Sequence, residues 1–220
     1  MLWIAVSLFF LWCAYREVRA SLVVPAGFDR TRPIYKPYLA LVLILAAGFA
    51  WPTLHRWYFE HYLSVLATRL ADNHRASVHC NTLLDTMFDP EALAAGHANP
   101  RTGKIAIQAP WCDRLRSYLW HPRRANWEEL VSLNLVTHES MHVRGELNEA
   151  KTECEAVQRN YRTARMMGVP EEVARENALD YYNGPYKERA AVGGLAGGYY
   201  SKECAPGKAW DEHLPDSSWD

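Results

Sequence analysis

The chain has 220 residues, enough for one or two domains. Its 24 Lys and Arg stand against 25 Asp and Glu, a net charge of −1, so no basic footprint for nucleic acid is present and no nucleic-acid partner is expected. Apolar residues are ordinary in amount but crowd the first quarter of the sequence.

Residues 2–15 are apolar and uncharged. They lack a basic leader and a small-residue cleavage site before Arg16, which argues against a signal peptide. Residues 38–54 form a fuller apolar run, with Lys36 before it and His55 and Arg56 after it. Trp51, Trp57 and Tyr58 suit an interfacial aromatic belt. We expect two membrane spans, about 2–15 and 38–54, the plainer alternative being two buried core helices. The connector 16–37 carries Arg16, Arg19, Arg30, Arg32 and Lys36 against Glu17 and Asp29. Positive loops stay in the cytoplasm, so the expectation is a multi-pass cell-membrane protein. Residues 1–55 would be its anchor and 56–220 an extracytoplasmic domain.

Residues 57–72 continue as an amphipathic helix, and Cys80 to Met87 reads as another, closed by Asp89-Pro90. Asn99 to Gly103 is turn chemistry, and residues 104–108 alternate as a strand. Cys13 lies in the first apolar run, while Cys80, Cys112, Cys154 and Cys204 all fall after residue 55. Four cysteines allow three pairings. We favour Cys80–Cys112 and Cys154–Cys204, each bracketing a coherent unit; no C-x-x-C spacing supports a cysteine metal site.

The segment Asn126 to Gly145 reads as one helix, with Asn126 as N-cap, Glu129 three residues on, and Gly145 as stop. Apolar residues cover nearly its whole circumference, so it is expected to be buried. Within it stands His138-Glu139-Ser140-Met141-His142. Residues four apart on a helix share a face, so two imidazoles can meet one metal ion. Zinc accepts such ligands, and Glu139 is placed to take a proton from an attacking water. The bland reading is a polar face with two core or solvated histidines.

Three carboxylates compete for the third ligand: Glu146, Glu149 and Glu153. In a continuous helix Glu146 would stand about 12 Å along the axis from His138, too far for one zinc. The chain must turn back at Gly145, and Asn148 then suits the N-cap of the next helix. That places Glu149 in its first turn as ligand, with Glu153 one turn later holding an imidazole N–H. Two solvated glutamates are the alternative. Residues 149–167 read as this helix, with Ala150, Cys154, Val157, Tyr161 and Ala164 as its apolar stripe and Lys151, Glu155, Arg159 and Arg162 facing away. Pro170 opens a further helix to about Tyr182, after which Gly193-Gly194 and Gly197-Gly198 mark flexible backbone. The fold class expected is mostly α with a small β-hairpin or sheet, that is, α+β.

The H138-E139-x-x-H142 segment resembles the signature of the zincin metallopeptidases. Asn148 to Glu153 looks like the N-E-x-x-x-D glutamate helix of the gluzincins, with Glu153 in place of the Asp. The spacing departs from that pattern, with six residues between His142 and Glu149. The run ending at Gly145 is instead similar to the metzincins, which place a third ligand where Asn148 stands. The chain thus resembles a small membrane-anchored zincin of the bacterial envelope. The resemblance implies a Zn2+ cofactor held by His138, His142 and Glu149, with Glu139 as catalytic base and Glu153 behind the ligands. It implies peptide-bond hydrolysis of an envelope peptide or protein, and residues 104–108 as the edge strand that holds substrate. A Tyr, His or Arg stabilises the oxyanion in zincins; Tyr182, Tyr186, Tyr199, Tyr200 and His213 are all available. The alternative function is a non-catalytic zinc ectodomain in envelope assembly or sensing.

Overall fold

The structure is a computed structural model that describes residues 2–24, 31–192 and 197–219. Asp29, Arg30 and the expected flexible pair Gly193-Gly194 lie outside the described residues. The chain falls into two compact units, Met1–Phe59 and Glu60–Asp220.

In the first unit, α1 (Leu2–Leu22) packs along the first half of α2 (Lys36–Leu70). The Ser7 hydroxyl donates to the Ala46 carbonyl at 2.8 Å, and Trp3 and Phe10 stack on Phe49. Small residues at the crossing let the backbones approach. Among the described residues, α2 is the one helix long and apolar enough to cross a membrane. The expected first span does not meet that standard. The apolar run 2–15 is only about 21 Å as helix, against a hydrocarbon core of about 30 Å. Beyond it α1 carries Arg16, Glu17 and Arg19.

The second unit begins in the last turns of α2. The chain then forms β1 (Ser77–Cys80), α3 (Leu83–Phe88), β2 (Gly96–Asn99), β3 (Lys104–Ile107) and α4 (Ala109–Trp120). Next come α5 (Trp127–Arg144), α6 (Glu149–Met166), α7 (Glu171–Tyr181), a π-helical turn (Tyr182–Tyr186) and α8 (Lys187–Val192). The result is mostly helical with a three-stranded sheet. Two expectations need correction. Cys80 ends a strand rather than opening a helix, because β1 pairs in parallel with β3, far away in sequence. Strand β3 is central, not an edge: the order is β1-β3-β2, with β2 antiparallel to β3. The turn into β3 requires Gly103, at φ 69°, where a Cβ would lie 1.9 Å from the Arg75 carbonyl oxygen.

Helix α5 is the axis of this unit, packed against α4, α6, α7, β2 and β3. Its start is a capping box: the Asn126 side chain accepts from Glu129 N, and Glu129 accepts from Asn126 N. Several of its buried polar residues are satisfied by nearby carbonyls and hydroxyls. Thr137 donates to the Leu133 carbonyl and bonds Thr163, and Ser140 donates to the Val136 carbonyl. Both expected bridges, Cys80–Cys112 and Cys154–Cys204, are formed, and Cys13 is free.

The outward face of α6 is another correction. Glu155 and Arg159 are buried rather than solvated. The C-terminal segment lies over them. Arg159 grips Glu212 through two hydrogen bonds of 2.6 and 2.8 Å, and Arg162 pairs with Asp216. A charged face reads as solvent-exposed only until a distant segment supplies the opposite charges.

Candidate metal centre

Helix α5 carries His138 and His142 on one face, one turn apart. Gly145, at φ 121°, ends the helix and reverses the chain. The Asn148 side chain then caps α6 by accepting from Lys151 N. This puts Glu149 at the first position of α6, beside the two imidazoles.

The three ligand atoms form a near-equilateral triangle. His138 Nε2 lies 3.1 Å from His142 Nε2 and 3.2 Å from Glu149 Oε2, and His142 Nε2 lies 3.4 Å from Glu149 Oε2. Ligands about 2.0–2.1 Å from a tetrahedral ion stand about 3.3 Å apart, so the triangle fits one such ion. The group His138, His142 and Glu149 can therefore hold a metal ion.

The outer nitrogens are fixed. His138 Nδ1 meets Glu153 Oε2 at 2.8 Å, and His142 Nδ1 meets the Glu146 carbonyl at 2.8 Å. Each acceptor requires the N–H on Nδ1, which leaves the Nε2 lone pair facing the cluster. Glu153 is in turn held through Oε1, which accepts from Asn134 Nδ2 at 2.9 Å and Tyr181 OH at 2.6 Å. The same oxygen forms an ion pair of 2.6 Å with Arg189. The π-helical turn after α7 is what returns Arg189 to this point.

Electrostatics follow from burial and pairing. Burial pushes the Glu153 carboxyl up, but the Arg189 charge and the His138 hydrogen bond outweigh it and bring it down to about 2. Glu149 is also lowered to about 2, by its hydrogen bonds to His138 and His142. Burial lowers the basicity of His138, yet Glu149 and Glu153 overcome this and raise it to about 10 in the metal-free protein. Glu139 behaves differently. Its burial raises its pKa, and Oε2 finds no hydrogen-bond partner among the described residues. An orphaned, buried carboxylate oxygen beside three ligand atoms is costly unless something else meets it.

His138, Glu139, His142 and Glu149 line a cleft of about 280 Å³, together with Glu91, Gly96, His97, Ala98, Leu147 and Tyr199. Of the five oxyanion candidates, only Tyr199 lines it, its ring 5.6 Å from that of His138. Tyr182, Tyr186 and Tyr200 pack with one another and with Trp219, and His213 is exposed beside Asp211. Sequence reasoning missed His97, which arrives on β2 with Nδ1 3.8 Å from Asp89 and 3.9 Å from Glu91. It also missed Asn134, although Asn134 stands one turn before His138 on the same helix face. The missed edge strand is β2, which brings Gly96, His97 and Ala98 to the cleft.

In comparisons with protein families, curated proteins and solved structures, nothing matches this chain.

Proposed function

We propose that the chain is a membrane-anchored zinc metallopeptidase that hydrolyses peptide bonds at the outer face of the membrane. The observation that carries this reading is the triangle of His138, His142 and Glu149 atoms at 3.1–3.4 Å beside an orphaned Glu139 oxygen in an open cleft. It rests also on the resemblance of His138 to His142 to the zincin signature.

Zinc, when bound, polarises a carbonyl and lowers the pKa of water to about 7. The chain supplies the rest. Glu153 and the Glu146 carbonyl keep both Nδ1 protons in place, so the two Nε2 atoms and Glu149 Oε2 would hold the ion. Glu139 Oε2 accepts a proton as the water oxygen bonds to the scissile carbonyl carbon. The same oxygen returns the proton to the amine nitrogen as the C–N bond breaks. Burial raises the pKa of Glu139, which favours its taking up the proton from water. Tyr199, whose pKa burial raises, keeps its hydroxyl proton and can donate to the developing oxyanion. The outer edge of β2 offers backbone groups to an extended peptide, the role sequence reasoning gave to residues 104–108.

For the location, α2 serves as the span and α1, with its exposed Leu2, Trp3, Leu8 and Phe9, as a second membrane-embedded helix. The two disulfides fit an oxidising compartment outside the cytoplasm.

The test is metal content and peptide hydrolysis of the full chain and of Glu139→Gln. We expect about one zinc per chain in both, and hydrolysis reduced at least about 10²-fold in the variant. Bound zinc with no hydrolysis of any peptide by the wild-type chain would favour a non-catalytic zinc ectodomain.

A further inference from the structure

Helix α3 is held by polar bonds and buries nothing. None of its six residues is buried. Leu83, Leu84, Met87 and Phe88 are 74%, 67%, 75% and 82% exposed, and Leu93 in the following turn is fully exposed. Residues 83 and 87, and 84 and 88, are one turn apart, so the four share one side of the helix.

The segment is nonetheless fastened at both ends. Thr82 and Asp85 form a capping box. Gln108 Oε1 accepts from Thr86 Oγ1 at 2.7 Å and from Asn81 Nδ2 at 3.0 Å. Asp89 Oδ2 accepts from Asn81 Nδ2 at 2.8 Å and Gln108 Nε2 at 3.0 Å. Asn81 and Gln108 are themselves buried, and Cys80, just before them, is bridged to Cys112. The apolar side is thus held outward by a polar clamp.

The direction in which β1 runs shows at which end of the unit α3 lies. Ala76 N donates to Thr68 Oγ1 at 3.0 Å, Val78 N to Ser64 Oγ at 2.8 Å, and Cys80 N to Glu60 Oε1 at 3.0 Å. Each two residues of strand step back four residues of helix. β1 therefore runs toward residue 60 of α2 and delivers the chain into α3 at that end. The apolar run 38–54 ends six residues before Glu60 in the sequence. Trp57 and Tyr58, the kind of side chain that marks a lipid–water boundary, are exposed just before it.

We infer that Leu83, Leu84, Met87, Phe88 and Leu93 form a surface that enters the interfacial layer of the lipid bilayer. Asp85, Asp89 and Glu91 accompany these residues, so the attraction is apolar and needs no anionic lipid. Glu91 and Ala94 line the cleft, so a docked α3 sets the cleft mouth beside the bilayer. The inference rests on α2 as the membrane anchor but not on the chemistry at the metal centre.

The full chain in phosphatidylcholine nanodiscs, with a carbene-generating group on the lipid acyl chain, tests it by mapping the adducts. We expect adducts on 38–54, which report on the anchor separately, and on 83–93. Trp127, 62% exposed on another element, should carry severalfold fewer. Leu84→Glu with Phe88→Glu, both at exposed positions, should abolish labelling of 83–93 and leave that of 38–54 unchanged. Labelling of 83–93 no higher than that of Trp127 would overturn the inference. Cross-links from 83–93 to a second copy of the chain instead of to lipid would overturn it too.

Discussion

At the scale of single residues, the centre depends on two glutamates one turn apart with different duties. Glu149 could offer an oxygen to an ion, while Glu153 meets His138 Nδ1 at 2.8 Å and lies outside the group of candidate ligand atoms. Glu149→Ala should abolish tight zinc binding, whereas Glu153→Ala should weaken it about 10–100-fold. Competition against a calibrated chelator measures both, and zinc retained in the first but lost in the second would reverse the roles. The Glu153 carboxyl is depressed from 4.5 to about 2, so in the metal-free protein its stabilisation is complete above 4.5 and is lost as the pH falls toward about 2. His138 is raised from 6.5 to about 10, so its contribution is complete below 6.5 and is lost as the pH rises toward about 10. The metal-free chain should thus show a stability maximum between these limits in denaturant titrations. Glu153→Gln should flatten the acid limb. The positions of Glu149 and Glu153 beside the two imidazoles were readable because they follow from caps and helix rise within a dozen residues. His97 was not, because its place beside Glu139 depends on a strand pairing that leaves no mark near residue 97.

At the scale of elements, local grammar was legible and long-range grammar was not. Asn126, Glu129, Gly145 and Asn148 announce the ends of α5 and α6 through bonds spanning three or four residues. The strand β1 is four residues long and acquires its partner, β3, only through a parallel crossover, so Cys80 read as helix. The burial of Arg159 likewise depends on Glu212, far along the chain. The turn at Gly145 can be tested against a matched control. Gly145 and Gly168 both have positive φ, 121° and 85°, and a Cβ at either would meet nothing within 4 Å. Alanine at each should therefore cost about 1–2 kcal/mol through backbone strain alone. Only Gly145 positions Glu149, so Gly145→Ala should also weaken zinc binding while Gly168→Ala leaves it unchanged. Equal zinc affinities in the two variants would mean that the turn tolerates alanine without moving Glu149.

At the scale of the whole molecule, charge, cysteines and the tail point the same way. Arg16, Arg19, Arg32 and Lys36 flank the connector between α1 and α2, and such charge is retained in the cytoplasm. Every disulfide-bonded cysteine follows α2, and disulfides persist on the oxidising side of a membrane. The bridges close loops with sequence separations of 32 and 50, each worth about 4 kcal/mol in the chain-entropy account. The second bridge has a further consequence. Cys204 lies five residues after Tyr199, on the segment that Arg159–Glu212 and Arg162–Asp216 clamp over α6. A reporter that works only outside the cytoplasm should be active when fused after residue 220, and the fusion should yield both bridges with Cys13 free on non-reducing mass mapping. Reduction should lower the unfolding midpoint, and Cys204→Ser should in addition loosen Tyr199 from His138. Their rings are 5.6 Å apart, so the loosening is measurable as a change in the His138 ring resonances without loss of zinc. Activity of the reporter in the cytoplasm, with Cys154 and Cys204 reduced in the native protein, would invert the topology and remove the structural role assigned to the bridge.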